Sequence, residues 1–165
     1  MKMVEIIRAA DTLLATLQIT EPMVDVFELA RMQGLDIKYR IFDKPWDKTI
    51  SGFLHPTDKT IYINYNESPE RQTYTIAHEL GHFYLGHKPS EYGVYLRSAS
   101  QGATGKKDIE KAADAFAANL LMPEEMVQRK VREYKLTSRE AGVLASMFGV
   151  SESAMRVRLQ TLGIT

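Results

Sequence analysis

The chain has 165 residues, with 21 basic and 21 acidic side chains and no cysteine. A chain of this length buries roughly two-thirds of the surface its unfolded form exposes, enough for one core without cross-links. The lack of cysteine excludes disulfides and cysteine-ligated zinc, so a metal site must use His, Asp and Glu, and the balanced charge gives no electrostatic footprint for a polyanion.

Residues 3–18 place Ile6, Ile7, Ala10, Leu13, Leu14 and Leu17 at helical spacing. Met1–Arg8 carries charges too early and too often for a signal peptide. No apolar run is long enough to cross a bilayer. The expectation is a cytoplasmic protein. A second, short helix follows Pro22 through Val26, Leu29 and Ala30 and stops at Gly34. The period then changes to two. Leu35–Ile41, Ile50–Leu54 and Thr60–Tyr65 read as strands, and His55–Lys59 is turn chemistry. Short strands on short connections predict a small three-stranded antiparallel sheet.

Ser68-Pro69-Glu70 announces a helix, since serine suits the N-cap, proline the first turn and glutamate the positive end of the dipole. It should run to about Leu85 and end near Gly86. Residues 88–107 are rich in Ser, Gly, Lys and Tyr and read as a long loop, a candidate lid over a cleft. Asp108 suits the cap of the next helix, which Pro123 ends or restarts. Two more helices are expected over 137–148 and 151–162. The fold class is α+β. One domain over 1–165 is expected, with an N-terminal helix in 1–20, a core in 22–123 and a C-terminal helical part in 124–165.

The pattern that carries chemistry is His78-Glu79-Leu80-Gly81-His82. At 3.6 residues per turn the two histidines lie about 40° apart on one helix face, so both imidazoles can hold one tetrahedral ion. Glu79 projects beside that ion, where it can take a proton from the attacking water and pass it to a leaving amine. Ile76, Leu80 and Phe83 lie on the opposite face and anchor the helix.

A catalytic zinc site of this kind needs a third protein ligand. The metzincin spacing His-Glu-x-x-His-x-x-Gly-x-x-His is not met, because Gly86 and His87 follow His82 by four and five residues. A helix continued past Leu85 would also carry His87 to the side opposite His78. Glu110 is the better candidate, since it shares a stripe with Ala113, Ala117 and Leu121. Small residues let helices approach, so a carboxylate on that stripe points at the neighbour. Asp114, one turn on, can accept the second N–H of a ligating histidine. The competing reading of both acids is solvated charge near a helix start.

Thr75–His82 together with Glu110-Lys111-Ala112-Ala113-Asp114-Ala115-Phe116-Ala117-Ala118-Asn119-Leu120-Leu121-Met122-Pro123 resembles the ImmA/IrrE family of zinc metallopeptidases over about residues 22–162. The resemblance implies a gluzincin-like site, with His78, His82 and Glu110 holding one Zn²⁺ per chain and Glu79 as general base. It also implies a substrate class, helix-turn-helix transcriptional repressors. The alternative it leaves is a non-proteolytic regulator or binding module that acts by contact.

An edge strand at Thr60–Tyr65 would let a peptide add along Ile61, Tyr62, Ile63 and Asn64, whereas an interior strand would not. Tyr74, Tyr92, Tyr95 and His87 are all candidates to donate to an oxyanion. Leu136–Leu162 has helix-turn-helix character, with Arg156 and Arg158 on its second helix. Yet residues 124–165 hold only seven basic against five acidic side chains, a poor footprint for DNA.

Overall fold

The computed structural model describes residues 2–44, 49–87, 95–96 and 104–165, with backbone only for 95–96 and 104–107. Helix α1 (Met3–Thr16) buries Ile6, Ala10, Leu13 and Leu14 on one stripe. Helix α2 (Val26–Met32) starts where the Asp25 carboxylate accepts the N–H groups of Phe27 and Glu28, each at 3.0 Å. Its buried Val26, Leu29 and Ala30 join the same core.

Strands β1 (Asp36–Arg40), β2 (Gly52–His55), β3 (Thr60–Asn64) and the two-residue β4 (Tyr95–Leu96) form one sheet in the order β1-β3-β2-β4. The sheet is mixed, not antiparallel throughout. Strands β2 and β3 form the expected hairpin, but β1 runs parallel to β3, with Asp36 opposite Thr60 and Arg40 opposite Asn64. A parallel pair needs a crossover of a dozen or more residues, and the segment from Arg40 to Thr60 supplies it by passing through β2.

This order also corrects the edge-strand expectation. Because β3 lies between β1 and β2, its ladder is used on both sides and a peptide cannot add along Ile61–Asn64. Ile61 and Ile63 face inward with no exposure, and Asn64 is 1% exposed, its amide donating to the Ile50 carbonyl at 3.0 Å. Tyr62 points to the other face, where the Arg40 guanidinium lies over its ring.

Helix α3 (Pro69–Tyr84) begins as its caps predict, with the Ser68 hydroxyl accepting from the Arg71 N–H at 3.3 Å. Residues Thr75–His82 are buried between the sheet and helix α4 (Thr104–Leu121). Helix α4 starts four residues before Asp108. Gly105 costs a helix about 1 kcal/mol relative to alanine, which is too little to stop it. Pro123 acts as a restart, and α5 (Glu124–Tyr134) follows with Glu124 and Glu125 in its first turn.

A short 3₁₀ turn (Ser138–Glu140), α6 (Ala141–Phe148) and α7 (Glu152–Thr161) complete the chain. Helix α7 turns Met155, Arg158 and Leu159 inward. The Arg158 guanidinium donates to the Met122 carbonyl at 2.8 Å and to Asn119 Oδ1 at 2.9 Å, tying α7 to the end of α4. Arg156 is paired with Glu152. One of the two arginines that a DNA-reading helix could use is therefore inside the protein, and the other is tied to its own helix. Arg158→Met is expected to lower stability by about 2–4 kcal/mol, because it leaves the Met122 carbonyl and Asn119 amide buried without their charged donor. Urea unfolding measures this; a change under 1 kcal/mol would refute the tie. No helix among the described residues is long and apolar enough to cross a membrane.

Candidate metal centre

Two helices build the site. From α3 come His78 and His82, both 1% exposed, and from the facing side of α4 comes Glu110. The helices can meet because Gly81 presents no side chain. A Cβ built there would stand 3.1 Å from the Cα and carbonyl oxygen of Ala113 and 3.2 Å from Cβ of Phe116. Ala113 and Ala117 are fully buried and Leu121 nearly so, as the alanine stripe predicts. Gly81→Val is expected to push α4 away and to cost about 1–3 kcal/mol in overpacking. Metal affinity should fall with it, measured by competition with a chelator; unchanged affinity would mean that the close approach is irrelevant to the site.

The three donors converge. Nε2 of His78 lies 3.0 Å from Nε2 of His82 and 3.3 Å from Oε2 of Glu110, and Nε2 of His82 lies 3.7 Å from Oε1 of Glu110. Ligand atoms about 2.0–2.1 Å from a tetrahedral zinc ion stand about 3.3 Å from each other. The observed separations bracket that spacing, and the His₂Glu donor set is one that catalytic zinc uses. The residues present therefore fit such an ion.

Asp114 stands behind His78, its Oδ1 accepting from Nδ1 at 3.0 Å. A carboxylate can only accept here, so His78 carries a proton on Nδ1 and turns Nε2 to the site. The Tyr74 hydroxyl donates to Asp114 Oδ1 at 3.3 Å, so it is engaged with the carboxylate that holds His78. His87 lies against His82, Nδ1 to Nδ1 at 3.0 Å. Tyr92 and the side chain of Tyr95 lie outside the described residues, as does most of the 88–107 segment.

Glu79 is fully buried, and its Oε2 accepts the Leu54 N–H of β2 at 3.0 Å. This contact fixes the carboxylate between helix and sheet. The sequence carries no signal for this contact, because a backbone N–H has no residue type.

The electrostatics match a site made for a cation. Burial is the strongest influence on His78 and favours its neutral form. Hydrogen bonds to Asp114 and Glu110 and the nearby charge of Glu79 together outweigh burial and hold its pKa at about 9. Burial also opposes charge on Glu110, but hydrogen bonds from His78 and His82 bring it down to about 2. In the metal-free protein these two groups form an ion pair that a metal cation can replace. Burial lowers the pKa of His82. Burial and then the charge of His82 push His87 down to about 4, so it is neutral at pH 7.

Residues 31–160 match the IrrE N-terminal-like domain of a peptidase family. Over 127 residues, 76% of this chain, the sequence is 31% identical to the radiation response metalloprotease IrrE of Deinococcus radiodurans, of which the match covers 37%. Over 101 residues, 61% of this chain, it is 28% identical to the metallopeptidase ImmA of Bacillus subtilis, of which the match covers 56%. The fold resembles that of a Mycobacterium tuberculosis transcriptional regulator, with a TM-score of 0.64 at 18% identity, over 94% of this chain and 46% of that one. The chain thus spans between about a third and just over half the length of these relatives.

Proposed function

This chain belongs to the ImmA/IrrE family, through its IrrE N-terminal-like domain, and on that premise we propose that it is a zinc-dependent endopeptidase acting on a protein substrate. The observation that carries the reading is the convergence of His78, His82 and Glu110 within 4.8 Å of one another, with Glu79 one residue along the same helix. His78, His82 and Glu110 would hold the ion. Zinc, when bound, supplies the Lewis acidity that makes water a nucleophile near neutral pH.

Glu79 does the proton work. Its carboxylate takes a proton from the attacking water and delivers it to the amine nitrogen that leaves as the peptide C–N bond breaks. The Leu54 N–H holds Oε2 in place, so the carboxylate needs little reorganisation as it changes protonation state. Asp114 orients His78, and Tyr74 orients Asp114.

The substrate we propose is a helix-turn-helix transcriptional repressor, met in the cytoplasm. Co-expression with any helix-turn-helix repressor found encoded beside its gene, followed by mass spectrometry of the products, tests the whole reading. Two fragments whose masses sum to the intact repressor plus one water, lost when a chelator is added to the purified pair, are expected. Intact repressors alongside stoichiometric zinc would favour action by contact instead.

A further inference from the structure

We infer that His87 is a positioning residue for His82: it fixes which ring nitrogen of His82 faces the metal, and the turn at Gly86 brings it there. The inference rests on the reading of His78, His82 and Glu110 as the metal ligands.

A neutral imidazole has one N–H and one lone pair, and a ligating histidine must keep the lone pair on the nitrogen that meets the metal. A partner at the other nitrogen sets this choice. For His78 the partner is the Asp114 carboxylate. For His82 it is a second imidazole. Nδ1 of His82 and Nδ1 of His87 are 3.0 Å apart, with the ring planes 70° apart, so one hydrogen lies between them. Nε2 of His82 faces the donor cluster, 3.0 Å from Nε2 of His78. The shared hydrogen therefore belongs to His82 Nδ1, which donates to the lone pair on His87 Nδ1. His87 carries its own proton on Nε2.

The chain reaches this arrangement by ending its helix. Leu85 is the C-cap of α3, and Gly86 follows in the left-handed region at φ +63°. Two backbone bonds close the end. The Gly86 N–H donates to the Phe83 carbonyl at 3.2 Å, and the His87 N–H donates to the His82 carbonyl at 3.1 Å. This pair is the Schellman motif, and its outer bond links the same two residues whose rings meet. On a continued helix, five residues would carry His87 about 140° round from His82; the reversal brings it back alongside. A Cβ at Gly86 would meet nothing within 4 Å, so glycine is required there by backbone conformation and not by space.

The test uses the full chain with Zn²⁺ alone. His87→Phe keeps the ring bulk and removes the acceptor, and should weaken zinc binding about 10–100-fold while leaving the unfolding of the metal-free protein close to wild type. His87→Asn, whose amide oxygen can occupy the place of Nδ1, should restore most of that affinity. Gly86→Ala should behave like His87→Phe, and Gly86→Asn, which tolerates the left-handed region, like wild type. Long-range ¹H–¹⁵N spectra of the zinc-loaded protein give a readout that packing alone does not move. His82 should be bound through Nε2, with a protected Nδ1–H that is lost in His87→Phe and kept in His87→Asn. A wild-type His82 bound through Nδ1, or a His87→Phe variant with unchanged affinity and an unchanged Nδ1–H, overturns the inference. His82→Ala separates the two levels. If it loses zinc while His87→Phe does not, only the positioning role falls; if it too binds like wild type, the metal centre itself is wrong and the inference goes with it.

Discussion

Glu79→Gln is expected to keep zinc at wild-type stoichiometry, keep the fold, and lower the rate of substrate cleavage at least about 10²–10⁴-fold, the usual contribution of a general acid–base group. The substitution is nearly isosteric. Glu79 is buried and accepts the Leu54 N–H at 3.0 Å, and the glutamine carbonyl oxygen can accept the same bond. The ligand atoms belong to other residues, so metal content should not change. What glutamine lacks is the ability to take a proton and return it. Cleavage rate under single-turnover conditions and zinc per chain, measured on the same preparation, separate the two roles. Cleavage at the wild-type rate with zinc present rejects Glu79 as the base. Loss of both together would show instead that the carboxylate supports the metal site.

Much of this site can be read from spacing, and the unread parts share a cause. His78 and His82 four residues apart on a capped helix define a face without any tertiary information. Glu110 could be chosen because it shares a stripe with alanines, and a stripe of small residues in a helix implies a close neighbour. Strand direction could not be chosen, since alternation of apolar and polar side chains is the same for parallel and antiparallel pairing; β1 turned out parallel to β3. The interior position of β3 followed from that order, and with it the loss of Ile61–Asn64 as a peptide-binding edge. The Leu54 N–H on Glu79 is a backbone group brought in by sheet topology.

His87 is the instructive case. Extrapolating the helix put it on the wrong side, although Gly86 one residue before it already signalled a left-handed stop. The residue was visible, but the reversal that gives it a role depends on where the helix ends. A difference of one turn in that end point separates a solvent-facing histidine from one that lies against His82.

Removing the third ligand tests the geometry on which every other role depends. Glu110→Ala is expected to weaken zinc binding about 10²–10³-fold, on the basis that apparent zinc affinities of about 10–16 kcal/mol in four-ligand structural sites are shared among the ligands. The physical reason is charge as well as number. With two neutral imidazoles and a carboxylate the occupied site carries one net positive charge; without the carboxylate it carries two, in a pocket where both imidazoles are 1% exposed and burial penalises charge. Glu110→Gln distinguishes these contributions, because it keeps the side-chain length and a carbonyl oxygen but not the charge, and it should bind zinc nearly as poorly as the alanine variant. The fold should tolerate both changes in the metal-free state, since the Glu110 side chain is 25% exposed and lies at the helix surface facing the site. Competition titrations with a chelator should therefore rank the variants, with both Glu110 substitutions weaker than His87→Phe. If Glu110→Ala holds zinc more tightly than His87→Phe, Glu110 is not the third ligand.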